Sequence, residues 1–209
     1  MLSWLLGKKI GADSMGILLS TICLSDIDKG TNLPNVPIDP KILFKEVIHL
    51  RMAAIGIVAT HVLGETNVRY AVMGRFFGSF FSQLTKYSQW PFIFKDDNEL
   101  SFNSYKEFEL SVSKLGDEDR TRITKALAAK VTSFLNEQQE RFIVYEGLAK
   151  GPAPSDADRV QKIGKEFARF CGVGDNESTI NIGAFGFYQM SHMAAASMKG
   201  IKEIRGIKS

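Results

Sequence analysis

Between Asp117 and Ala149, apolar residues keep helical spacing (Ile123, Leu127, Val131, Phe134, Leu135, Phe142 and Tyr145) opposite a face of Lys, Arg, Glu and Gln, and no proline interrupts the run. A stripe with that period lies on one side of an α-helix but would scatter over both faces of a strand, so this stretch reads as one long amphipathic helix. Asp117, Glu118 and Asp119 stand at its start, where the helix dipole favours negative charge. A helix with one apolar stripe must bury it, and in this chain the candidates for covering it are other helices.

From Lys41 to Gly64 the apolar residues occupy nearly every face after Met52, the pattern of a central, buried helix. Thr66 or Asn67 can cap the next helix, which runs to about Ser88 on Val68, Val72, Met73, Phe76, Phe77, Phe80, Phe81 and Leu84; Trp90-Pro91 closes it. Ser104-x-x-Glu107 has the form of a capping box and Gly116 suits a helix stop, which predicts a helix over 105–115, although Phe108, Leu110 and Val112 also alternate as in a strand. Gly151-Pro-Ala-Pro154 is the strongest break. Ser155 with Asp158 then opens a helix on Val160, Ile163, Phe167 and Phe170, stopped by Gly172 and Gly174, and Thr179 to Lys199 predicts a last helix.

These readings give an all-α fold, a multi-helix bundle of about six helices. Minor strand is the alternative at 16–24 and at 179–184, where Ile180, Ile182 and Ala184 alternate. Residues 1–40 read as an apolar segment and a Pro-rich connection packed on the core, 41–200 as a single helical domain, and 201–209 as a basic tail. Gly56, Thr60 and Gly64, and likewise Gly74, Gly78 and Ser82, stand four apart and predict seams where helices approach closely.

Composition narrows the function classes. With 209 residues, 44% of them apolar, the chain can bury a core without disulfide or metal. Cys23 and Cys171 lack any C-x-x-C spacing and read as buried, reduced thiols, which predicts a reducing, cytoplasmic setting. Lys199, Lys202, Arg205 and Lys208 against Glu203 hold the whole net charge of +3; the rest balances at 22 basic and 22 acidic residues. A neutral body of that kind does not fit a nucleic-acid partner. The longest fully apolar run, Met52 to Ala59, is too short to span a bilayer. Asp13, Ser20 and Thr21 interrupt any secretory core after Leu2 to Lys9, and that N-terminal segment together with the basic tail suggests peripheral membrane contact as one alternative.

Catalytic signatures are missing: no phosphate-binding glycine loop and no G-x-S-x-G elbow occur, and no residue pattern identifies a family. Glu46-x-x-His49 puts a carboxylate and an imidazole on one helical face, the spacing used twice in di-iron bundles, but neither His61 nor His192 has a glutamate three residues before it. Glu46 and His49 are therefore the candidates for a metal site, completed by Glu137 or Glu140, while the bland expectation is a solvated helix pair with no metal and no cofactor. Phe76, Phe77, Phe80 and Phe81 with Tyr70 and Trp90 are candidates to line an apolar ligand pocket, with Arg69 and Arg75 able to anchor an acidic group; filling the core is the competing expectation. The leading expectation is a non-enzymatic protein that binds a protein partner, a second copy of itself or an apolar small molecule. An enzyme or metal carrier at Glu46 and His49 is the alternative from another class.

Overall fold

The computed structural model describes residues 11–25, 27, 36–84, 110 and 113–202. They form six helices: α1 (Ala12–Leu24), α2 (Pro40–Leu63), α3 (Asn67–Leu84), α4 (Asp117–Lys150), α5 (Asp156–Phe170) and α6 (Glu177–Lys202). No strand occurs among the described residues, and the architecture is an all-α bundle.

Both stretches with a strand alternative are helical, and burial shows why. In α1 the buried apolar residues are Met15, Leu19, Ile22, Cys23 and Leu24, the first three spaced by four and three. In α6 they are Ile180, Ala184, Phe187, Met190, Ala194 and Met198, again spaced by three and four. Ile182, which created the apparent alternation, is only half-buried at the edge of the core. Tertiary burial selects the helical period.

α2 is the centre: it packs against α4 and α6, with α3 returning beside it, α1 lying across α3 and α5 lying across α6. Its apolar content after Met52 fits that position, since Met52, Ala53, Ala54, Ile55 and Ala59 are all buried. The helix ends carry local signals. Pro40 begins α2 behind Asp39, whose carboxylate accepts from the Lys41 N–H at 2.8 Å. Thr66 Oγ1 accepts from the Arg69 N–H at the start of α3, and Ser155 Oγ from the Asp158 N–H at the start of α5. Arg51 of α2 donates to the carbonyls of Cys23 and Ser25 at 2.9 and 2.7 Å, which ties down the C-terminal end of α1. Gly64 ends α2 at φ +64°, a conformation that a side chain disfavours.

Of the predicted seam glycines, Gly56 meets a close neighbour: an added Cβ would lie 2.8 Å from the Phe142 ring of α4. A Cβ added at Gly64, Gly74 or Gly78 would meet nothing within 4 Å, so no helix of the described residues approaches there. Close approach of backbones occurs at Gly16, where a Cβ would lie 2.7 Å from the Val72 carbonyl oxygen of α3, and at Gly164, where it would run into the Ile180 carbonyl oxygen of α6. Gly116 is the N-cap of α4, with φ −64°. The helix expected over 105–115 lies outside the described residues except for 110 and 113–115, as do Trp90, Leu2 to Lys9 and the tail beyond Lys202.

Cys23 and Cys171 are both free and buried, and burial pushes each thiol up to about 12, which leaves them unreactive. No described helix is long and apolar enough to cross a membrane.

Candidate functional site

The facing surfaces of α2 and α4 hold most of the buried polar chemistry. Glu46 and His49 are not a solvated pair: they are 1% and 0% exposed. Their place on the central helix leaves no route to water, so each needs a partner inside. Arg141 of α4 supplies one, donating from Nε and Nη2 to the two oxygens of Glu46 at 3.1 and 3.0 Å. Gln138, one helical turn earlier and 6% exposed, places Oε1 2.7 Å from His49 Nδ1.

Aromatic rings close this cluster. Phe134 stacks on the His49 imidazole with ring centres 4.4 Å apart, and Phe80 and Phe81 of α3 pack against Phe134 in turn. The Arg141 guanidinium lies 4.0 Å over the Phe170 ring, a cation–π contact worth about 0.5–2 kcal/mol. At the outer edge Lys45 binds Glu137 at 2.7 Å, and Glu137 stands 3.8 Å from His49 Nε2.

Burial sets the protonation states. Desolvation holds the His49 pKa below its usual 6.5, against the opposing pull of Gln138, Glu46 and Glu137, so the imidazole is neutral at neutral pH. Desolvation works against the Arg141 charge too, but the hydrogen bonds and charge of Glu46 outweigh it and raise that pKa. The Tyr145 phenol is pushed above its ordinary value by burial and by Glu46. Two buried atoms in this region, His49 Nε2 and Tyr145 Oη, have no hydrogen-bond partner.

As a metal centre the arrangement fits poorly. Both Glu46 oxygens are taken by Arg141, Glu137 is neutralised by Lys45, and Glu140 faces Arg141 at 3.6 Å. No group of three or more metal-binding side chains occurs among the described residues.

Beside this sealed cluster lies an apolar groove of about 320 Å³ between α2, α3 and α4. Met52, Gly56 and Thr60 form its α2 wall. Gly56 matters there, because a Cβ would sit 2.8 Å from the Phe142 ring, which leans over the glycine. Arg69, Tyr70, Met73 and Phe77 line it from α3, and Leu135, Gln138, Gln139 and Phe142 from α4. Arg69 donates to Thr60 Oγ1 at 3.1 Å and pairs with Glu65, and Tyr70 also donates to Glu65.

Of the pocket residues read from the sequence, the structure brings Arg69, Tyr70 and Phe77 to this groove. Phe76 and Phe80 are fully buried, and Phe81 packs on Phe134. Arg75 is not at the groove: its Cβ lies against α1, beside Gly16. The sequence reading placed Glu137 beside His49 but missed the entire α4 wall and the hydrogen-bond partners of Glu46 and His49, Arg141 and Gln138. A signal for the partners existed: Gln138 and Arg141 continue the spacing Phe134, Gln138, Arg141, Tyr145 through an otherwise apolar stripe. No known family model, curated protein or solved structure matches this chain.

Proposed function

We propose that this protein works by binding an apolar small molecule in the groove between α2, α3 and α4. One observation carries the reading. Five large apolar side chains from three helices (Met52, Met73, Phe77, Leu135 and Phe142) surround a space whose volume reaches the lower end of ordinary ligand pockets, roughly 300–1,000 Å³. At its mouth Leu135 and Tyr70 remain 38% and 60% exposed, apolar surface that an occupant would cover. The two methionines suit an adaptable wall, since an unbranched thioether fills irregular space at small cost.

Methionine methyl groups also provide the test. Protein labelled with ¹³C at methionine methyls is titrated with butylbenzene and followed by NMR. Met52 and Met73, which line the groove, are expected to shift and saturate, while Met15, Met190 and Met198, buried elsewhere, stay in place. No movement up to the solubility limit, or equal movement of all five signals, would count against the reading.

A further inference from the structure

Resting on that reading, we infer that the groove selects apolar molecules carrying a hydrogen-bond acceptor, such as an aryl or alkyl ketone, and that Gln138 is the residue that reads it. Among the described residues, Gln138 is the one side chain that belongs both to the groove wall and to the buried cluster. Its oxygen lies 2.7 Å from His49 Nδ1, and a neutral imidazole with its proton on Nδ1 donates to that oxygen. The amide NH₂ is then the end of Gln138 with unspent capacity at the groove wall, and an NH₂ group can only donate.

The hydroxyl groups nearby do not offset this bias. The Thr60 hydroxyl is engaged on both sides, donating to the Gly56 carbonyl at 3.0 Å and accepting from Arg69 at 3.1 Å, and the Tyr70 hydroxyl donates to Glu65 at 3.0 Å from a side chain 60% exposed, where water serves its lone pairs. The Arg69 guanidinium adds only further donors. Gln139 is exposed and can turn either end of its amide inward. The Gln138 amide and the Arg69 guanidinium therefore present donors to an occupant. An occupant with a carbonyl recovers a hydrogen bond on entry, whereas one that itself donates leaves its own hydrogen and the Gln138 NH₂ facing each other.

His49 holds Gln138 in this orientation. Phe134 fixes the ring plane by stacking, and the tautomer with its proton on Nδ1 donates to Oε1 at 2.7 Å, which turns that oxygen away from the groove. His49 is thus a positioning residue for the amide that meets the ligand.

The test uses three molecules of one shape: butylbenzene, butyrophenone with a carbonyl in place of the first methylene, and N-propylaniline with an N–H there. Each is titrated into the full chain and into Gln138→Glu, which keeps an oxygen for His49 and removes the donor. Butyrophenone is expected to weaken about 3- to 10-fold in the variant, the equivalent of one net hydrogen bond. Butylbenzene should stay within about twofold, and N-propylaniline should tighten, because a carboxylate accepts its hydrogen. If Met52 and Met73 still respond but butyrophenone is indifferent to the substitution, or N-propylaniline is the ligand that weakens, the acceptor inference is wrong and the binding reading stands. If none of the three moves those signals in the unaltered protein, both fall. Should the variant fail to fold, ¹⁵N shifts of His49 in the unaltered protein decide: a proton on Nδ1 is expected, and a proton on Nε2 overturns the inference.

Discussion

Two faces of α4, one residue apart in sequence and about 100° apart around the helix, reverse the usual division of side chains. The face turned to the first half of α2 is buried and carries Gln138 and Arg141; the face turned to the groove carries Leu135 and Phe142, with Leu135 38% exposed. The difference lies in how each face is completed. The polar face is closed by side chains of the same chain: a bidentate ion pair, an imidazole–amide hydrogen bond and a stacked phenylalanine. The apolar face has walls on three helices, with Phe142 leaning over Gly56, and its side chains leave a groove of about 320 Å³ between them. One face is self-sufficient and the other is built around a vacancy.

Removing one partner of the polar face should have the largest effect. Arg141→Met leaves the Glu46 carboxylate buried and unpaired, and breaking a buried pair in this way costs about 3–5 kcal/mol. Urea denaturation should show the midpoint falling accordingly. Glu46→Met combined with Arg141→Met removes both charges and should return most of that loss, because an apolar replacement of a buried pair is often neutral or stabilising. If the single variant loses under 1 kcal/mol, water reaches Glu46 and the contrast between the faces disappears.

The contrast also marks how far the sequence could be read. Spacing alone supplied the helical class and located α2, α4 and α5, because an apolar stripe of period 3.6 is a local property of the chain. It could not pair the helices. Glu46-x-x-His49 was visible as a spacing, but whether such a pair is solvated or buried depends on what faces it, and Arg141 lies 95 residues away. The break in the α4 stripe at Gln138 and Arg141 was the legible trace: two polar residues at core positions require two buried partners, and Glu46 and His49 are separated by a matching interval. The α4 wall of the groove was hidden for the opposite reason, since Leu135 and Phe142 fit the core stripe as well as they fit a pocket. The seam at Gly74 and Gly78 failed because small residues permit close approach without causing it.

A smaller effect should come from pH. His49 is held below its usual value of 6.5 in the folded chain by burial, with Glu46 and Glu137 opposing and Arg141 reinforcing the shift. The unfolded chain therefore binds the proton first as pH falls, and stability declines once pH drops below about 6.5, being fully present above it. The slope from one such group is at most about 1.4 kcal/mol per pH unit. His49→Gln should flatten the part of the stability profile below about pH 6.5 that this residue contributes. An unchanged profile would mean that Glu137 already stabilises the protonated ring, and the sealed face would then be open to a proton at its Lys45 edge.

The smallest change in stability, and the sharpest test of the apolar face, is Gly56→Ala. A methyl group there lies 2.8 Å from Phe142 Cε2 and 3.3 Å from Cδ2, so the ring has to swing away, and Phe142 itself lines the groove that gives it room. Alanine gains about 0.5–1 kcal/mol of helix preference over glycine, which offsets the displaced ring and keeps the net change within about 1 kcal/mol of zero. Butylbenzene binding, by contrast, should weaken severalfold, because the displaced ring and the new methyl occupy the ligand's volume. Gly74→Ala is the matched control: nothing lies within 4 Å of its Cβ, so thermal unfolding should rise slightly and the Met52 and Met73 titration should be unchanged. Stability and binding thus part company at Gly56 and not at Gly74. If both substitutions behave alike, the glycine on α2 does not shape the groove, and the apolar face of α4 is ordinary packing surface.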